Sequence, residues 1–253
     1  MKILLTGYSG RMSNEVRVLA ESGYNEETYD VFGVDPFCEK ETERVKKDFS
    51  EAEKNVDCVI DFSNPALTQK LLSFVTENRL PVVVATTGHT EAEKAAIIKA
   101  AKEVPVFYSS NFSVGIAVLK NLVKKAVAAM PDADVEITEI HHNGKADAPS
   151  GTAISIAEEI KKARKDAYFT FGRKGNSLRN KNEIGLHSIR LGNVVGEHEV
   201  MLGGKSETII LTHRAADRRV FAEGALKAAK FIINKKNGLF GMEDMLGIKG
   251  ENI

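Results

Sequence analysis

Short apolar runs recur through the first part of the chain: KILLT (2–6), VFGVD (31–35), CVIDF (58–62), PVVVATT (81–87) and VPVFYS (104–109). Between them, ALTQKLLSFVTEN (66–78) and EAEKAAIIKAAKE (91–103) carry apolar residues at helical spacing. Strands that are apolar throughout and separated by helices imply parallel pairing with both sheet faces covered. This region therefore predicts a Rossmann-like, doubly wound α/β domain.

The rhythm then changes. SVGIAVLKNLVKKAVAAM (113–130) predicts a long helix stopped by Pro131. A strand (VEITEIHH, 135–142), a helix (TAISIAEEIKKARK, 152–165) and a polar, basic loop (172–185) follow. Three more strand candidates, LHSIRLG, VGEHEVMLGG and ETIILTHRA, come with short turns between them. They predict a second α+β domain with a mixed or antiparallel sheet of about four strands. The amphipathic run VFAEGALKAAKFII (220–233) is expected to return to the first domain. The expected division is 1–112 completed by 219–253, with 113–218 between them.

Composition narrows the function classes. The chain has 253 residues, and 35 Lys+Arg balance 35 Asp+Glu, so no global field draws it to nucleic acid or anionic membranes. Any attraction for a charged ligand must be local. Cys38 and Cys58 form no C-x-x-C pair, which argues against a disulfide framework and fits a reducing compartment. No stretch approaches the ~20 apolar residues that span a bilayer, and the N-terminal apolar run is too short for a signal sequence. A soluble, cytoplasmic protein is expected.

GYSGRMS (7–13) lies between a strand and a predicted helix. Gly7 and Gly10 permit a tight turn and close backbone approach to a pyrophosphate at the helix start. Asp35 ends the second strand, where a carboxylate can accept hydrogen bonds from an adenosine ribose. ATTGHT (85–90) and SSNFSVG (109–115) also follow strand ends. Their small polar residues can cap helices, and the same backbone donors can serve a nicotinamide ribose or carboxamide. Together these features predict dinucleotide binding.

The densest chemistry is EIHHNGKADAPSGTA (139–153). Strand alternation puts His141 and His142 on opposite faces, which suggests different tasks. Lys145 follows in a loop with Gly144, and Pro-Ser-Gly-Thr then starts a helix. Backbone N–H groups around Gly151 and Thr152, with the helix dipole, form an anion site suited to a carboxylate. A proton donor, a cation and an anion cradle suit reduction of an unsaturated or imine-like substrate bearing carboxylates. His187, His198 and His213 show no H-x-x-x-H or C-x-x-C spacing, so no metal site is expected. Arg190, Arg214 and Arg218 are further candidates for carboxylate binding, which the sequence does not rank.

GYSGRM, DFSNP, VVATTG, SSNFSVG, E-x-HH-x-x-K-x-DAPSGTA, EIGLHSIR, VVGEHEV-x-x-x-G-x-x-E-x-I-x-x-THRA and GLFGMEDML, in this order, resemble the dihydrodipicolinate reductases. The resemblance runs from residue 3 to about 245. It implies a reduction dependent on NADH or NADPH, giving tetrahydrodipicolinate in diaminopimelate and lysine biosynthesis. It implies His141 as proton donor and acceptor, Lys145 as a second proton donor, and His142, Gly151 and Thr152 as contacts to the substrate carboxylates. The cofactor would touch Gly7, Tyr8, Ser9, Gly10, Arg11, Met12, Asp35, Ala85, Thr86, Thr87, Ser109, Ser110, Asn111 and Phe112. Residues 1–112 with 219–253 would form the dinucleotide-binding domain, and 113–218 the substrate-binding and oligomerisation domain of a homotetramer.

Two positions depart from the family pattern. Ser13 stands where a third glycine is frequent. Asp35 is followed by Pro36 and Phe37 rather than by an arginine able to pair a 2′-phosphate. A carboxylate without an adjacent cation repels a phosphate, so NADH is expected to serve at least as well as NADPH, with Lys40 the nearest counterweight in sequence. Another Rossmann dehydrogenase, acting on an amino acid or its semialdehyde, would not need His-His-x-x-Lys before Pro-Ser-Gly-Thr. A nucleotide-sensing protein without turnover would need neither the histidine nor the lysine.

Overall fold

The computed structural model describes residues 1–248. It divides into two compact units, Met1–Ser113 with the described residues from Arg218 onward, and Val114–Asp217. Residues 249–253, included in the expected first domain, lie outside the described residues.

The first unit opens with β1 (Lys2–Thr6), α1 (Arg11–Glu21), β2 (Asp30–Val34), β3 (Val45–Lys46) and β4 (Cys58–Asp61). It continues through α2 (Thr68–Glu77), β5 (Val82–Val84), α3 (Glu91–Ala100) and β6 (Pro105–Tyr108). The second unit holds α4 (Val114–Ala129), β7 (Asp134–His141), α5 (Gly151–Ala163), β8 (Tyr168–Phe171), β9 (Glu183–Arg190), β10 (Gly196–Gly203) and β11 (Thr208–Ala215). The chain then re-enters the first unit as α6 (Arg219–Ile232), β12 (Gly238–Phe240) and α7 (Met242–Leu246).

The first sheet has seven strands in the order β12-β6-β5-β4-β1-β2-β3, all paired in parallel. Its order reverses between β1 and β4, the switch point beyond which doubly wound sheets hold ligands at the strands' carboxyl ends. Alternation divides the apolar strand residues between the two faces. Leu4, Val59, Val82 and Val106 pack with Leu71, Val75 and Ile97 of α2 and α3. On the other face, Phe107 meets Phe231 of α6 edge to face, with ring centroids 6.2 Å apart. α6 packs on this face of the sheet, against β4, β5 and β6.

The two-residue β3 and three-residue β12 escaped the sequence reading because such short segments show no alternation. The hydroxyl of the fully buried Ser13 has no hydrogen-bond partner, which carries an energetic cost.

The second sheet has five strands in the order β11-β10-β7-β9-β8. β7 pairs antiparallel with β10 and parallel with β9, so the sheet is mixed. It exceeds the expected four strands because β8 and the start of β9 lie in or beside the stretch expected to be a polar loop. β9 begins at Glu183, whose neighbours Ile184 and Leu186 are buried. One sheet face packs Val135, Ile137, Ile184 and Val200 against Ile116, Val123, Ile156 and Ile160 of α4 and α5.

Candidate active site

The residues expected to touch a dinucleotide all follow carboxyl ends of strands of the parallel sheet: 7–10 in the turn after β1 with 11–12 in the first turn of α1, 35 after β2, 85–87 after β5 and 109–112 after β6. Gly7 has φ +70°, and a Cβ there would stand 2.6 Å from the Phe62 carbonyl oxygen. A Cβ on Gly10 would stand 2.9 Å from the Gly7 carbonyl oxygen. Only glycine fits these two positions; their own N–H groups donate to the Val34 and Gly7 carbonyls, so a close-lying phosphate would meet the first-turn N–H groups of α1 instead.

Asp35 is buried and already engaged. The Ser9 amide donates to its Oδ2 at 2.8 Å, and the Phe37 amide donates to its Oδ1 at 2.9 Å. The carboxylate thus ties the glycine turn to the end of β2, and its remaining lone pairs can still accept ribose hydroxyls. Thr86 is buried with its hydroxyl unpartnered, as expected of a group awaiting a ligand. A pocket of about 320 Å³ beside the glycine turn is lined by Ser9, Gly10, Arg11, Arg17 and Arg218 among others. Arg218, unranked by sequence, therefore belongs to this cationic pocket. These features fit a dinucleotide: a glycine cradle, an acid at the second strand end and a buried orphan hydroxyl.

The second unit carries the proton-transfer groups. Along β7 the buried side alternates Val135, Ile137, Glu139 and His141, so Glu139 and His141 share a face. His141 is the last residue of the strand; His142 lies beyond it and is half-buried. His141 Nδ1 donates to Glu139 Oε2 in a short hydrogen bond. Glu139 is 1% exposed and takes a forked pair of bonds from Arg190, at 3.1 Å from Nη1 and 2.8 Å from Nη2. The Ser150 amide donates to Glu139 Oε1 at 3.2 Å.

Ser150 caps α5, its hydroxyl accepting from the Ala153 amide at 3.2 Å. The same hydroxyl shares a 3.2 Å hydrogen bond with Nε2 of buried His198. The His198 ring stands edge to face with His141, centroids 5.2 Å apart. A Cβ on Gly196 would come within 3.0 Å of His141 Nε2, so glycine keeps that atom uncrowded. Gly151 opens α5 with nothing within 4 Å of the place a Cβ would occupy. Lys145 pairs with Asp147 at 2.7 Å. Its loop is less free than Gly144 suggested. The Asn143 amide donates to the Gly192 carbonyl, the Lys145 amide to the His142 carbonyl, and Arg190 to the Asp147 carbonyl.

Burial pushes His141 below the ordinary imidazole range, against the opposing pull of Glu139, with Lys145 and Arg190 adding to the lowering. Burial alone would raise Glu139, but hydrogen bonds from Arg190, Ser188 and His141 hold it low. His198 is pushed down to about 3, first by burial and then by His141, and stays neutral near pH 7. Arg214 pairs with Glu197 at 3.0 Å and is exposed.

The sequence reading missed Glu139 and His198. Two-residue alternation already places Glu139 on the face of His141, and strand register puts His198 opposite Glu139. The first signal was present in EIH; the second needs the pairing itself. Among the described residues, no group of three or more His, Cys, Asp or Glu could hold a metal ion.

The dihydrodipicolinate reductase N-terminal family model matches residues 1–112, and the C-terminal model matches 115–246. The chain belongs to the dihydrodipicolinate reductase family. It is 42% identical to a 4-hydroxy-tetrahydrodipicolinate reductase of Clostridium novyi over 98% of this chain and 99% of that relative. It is 40% identical to the enzyme of the same name from Staphylococcus haemolyticus, over 97% of this chain and 100% of that relative. A dipicolinate-bound dihydrodipicolinate reductase from Paenisporosarcina sp. TG-14 superposes with a TM-score of 0.79 at 21% identity, covering 96% of this chain and 98% of that one. An aspartate dehydrogenase from Thermotoga maritima shares the fold more loosely, with a TM-score of 0.53 at 12% identity over 100% of this chain and 98% of that one. The family is one of NAD(P)H-dependent oxidoreductases, and the parallel-sheet unit is its dinucleotide-binding part. Among the described residues, no helix is long and apolar enough to cross a membrane.

Proposed function

We propose that this chain acts as a 4-hydroxy-tetrahydrodipicolinate reductase, with His141 as proton donor and acceptor and Lys145 as a second proton donor. The observation that carries the assignment of roles is the Glu139-anchored His141 with Lys145 and the start of α5 around it. NADH or NADPH, when bound, supplies two electrons and one hydrogen as hydride. The 4-hydroxyl and a neighbouring C–H hydrogen leave as water, and the C=C this opens beside the C=N takes the hydride at one end and one proton at the other to give tetrahydrodipicolinate. His141 holds Nδ1 against Glu139 and keeps Nε2 as its proton-carrying atom. Lys145, released from Asp147, gives a second acidic N–H or a cation for the substrate. His142 and the Gly151–Thr152 turn take the carboxylates, where the dipole of α5 favours negative charge.

In the first unit the Gly7–Met12 turn holds the pyrophosphate, Asp35 the adenosine ribose, and Ala85–Thr87 with Ser109–Phe112 the nicotinamide end. The 1–112 and 219–253 segments serve the dinucleotide, and 113–218 serve the substrate and assembly. Exposed Ile209 and Ile210 on β11 support assembly into a homotetramer through the second sheet. A cytoplasmic location fits the biosynthetic role.

The test is NADH consumption on adding substrate generated by the preceding synthase, followed in His141→Gln and Lys145→Ala. Loss of general-acid help should lower kcat by roughly 10²–10⁴-fold. Two variants within about threefold of wild type would overturn the proton-donor roles.

A further inference from the structure

Resting on that reading of His141, we propose that Glu139, clamped by Arg190, is the positioning residue of the proton-transfer site. It fixes the ring so that Nε2 is the working nitrogen, and it sets that ring in register with the carboxylate-binding start of α5. Glu139 is one carboxylate with four partners, the Ser188 side chain among them. Oε2 accepts from His141 Nδ1 and from Arg190 Nη1, and Oε1 accepts from Arg190 Nη2 and the Ser150 amide.

Each bond has a consequence. The bond to Nδ1 places the proton of the neutral ring there, so the lone pair and any added proton belong to Nε2. The bond from Ser150 ties the same carboxylate to the cap of α5, so ring and helix start cannot shift independently. The Arg190 fork supplies the charge that lets an acid this deeply buried stay ionised, and it also grips the Asp147 carbonyl in the Lys145 loop at 2.5 Å. Strand register alone brings Arg190 here, because it pairs with His141 across β7 and β9.

Other groups bear on His141. Lys145 from its loop and Arg190 from β9 disfavour its charged form, Glu139 from its own strand favours it, and neutral His198 from β10 meets it edge to face. His213 on β11 stands one strand further, opposite His198. Removing the Glu139 charge must therefore lower the His141 titration midpoint, and removing the Arg190 charge must raise it.

The test is the titration of ¹⁵N-histidine-labelled protein by NMR, with neither cofactor nor turnover, in wild type, Glu139→Gln and Arg190→Met. The expected result is a midpoint moved down in the first variant and up in the second. The wild-type neutral ring should carry its proton on Nδ1, and the Gln variant should lose that preference. In steady state, Glu139→Gln should lower kcat by roughly ten- to a thousandfold and steepen its dependence on pH, part of the factor general acids contribute. An unmoved midpoint, or a wild-type ring protonated on Nε2 when neutral, overturns the proposal. Should Glu139→Gln fail to fold, Glu139→Gln with Arg190→Met removes both charges together and must still abolish the Nδ1 preference. The underlying reading fails separately: a fully active His141→Gln would sink it while leaving the NMR result intact.

Discussion

Acid should destabilise this protein through His198 in a way that one substitution removes. The ring is 4% exposed, and its pKa falls from 6.5 to about 3 on folding. Between those values the unfolded chain binds a proton that the folded chain refuses. Stability is therefore complete above the unfolded value and declines as pH drops toward the folded one. At a pH of about 4.5 the loss relative to about 7.5 is about 2 to 3 kcal/mol, a large part of a typical folding free energy. His141 and His213, both also lowered, act in the same direction. The comparison that isolates His198 is with His198→Gln, which cannot titrate but can keep a polar atom near Ser150 Oγ. Guanidinium unfolding of both proteins at the two pH values measures the difference. Wild type should lose about 2 kcal/mol more than the variant on acidification. Equal losses would mean that the folded ring binds a proton as readily as the unfolded one, so that burial does not depress it.

Ser13→Ala should raise stability by about 1 kcal/mol in the same unfolding assay, because it removes a buried hydroxyl with no partner; a loss of stability would reveal a partner. Gly224→Ala should cost about 1 to 3 kcal/mol and weaken NADH binding, since its Cβ would lie 1.8 Å from the Phe112 carbonyl oxygen on a loop expected to hold cofactor. Thermal melting and NADH fluorescence titration check both effects, and unchanged values in both would refute the prediction. Steady-state kcat/KM should be at least as high with NADH as with NADPH, because Asp35 has no adjacent cation. A tenfold NADPH advantage would show that the Arg11, Arg17 and Arg218 pocket governs the choice instead.

The parallel sheet was legible because its strands are buried on both faces and read as unbroken apolar runs. The mixed sheet was harder: Tyr168–Phe171 is half solvated, and the start of β9 sits within a basic stretch. At the site, His141, Lys145 and the Gly151 turn could be found because they lie within a dozen residues. Glu139 is within reach by alternation, which puts it on the face of His141. His198 and Arg190 come from strands far along the chain, and only cross-strand register ties them to Glu139 and His141. Spacing along a chain exposes local chemistry, whereas a buried charge network is a property of pairing.

The return of α6 to the first unit has a consequence for biogenesis. α6 packs against α1 and against β4, β5 and β6, yet it is synthesised only after the whole second unit. At about 5–20 residues per second, the nascent sheet waits roughly five to twenty seconds for its cover. During that interval Phe107 and the apolar residues beside it face the ribosome's surroundings without the helix that will shield them. The second unit, continuous in sequence, can close its own core in the meantime. The first unit therefore cannot complete its core until α6 has been made.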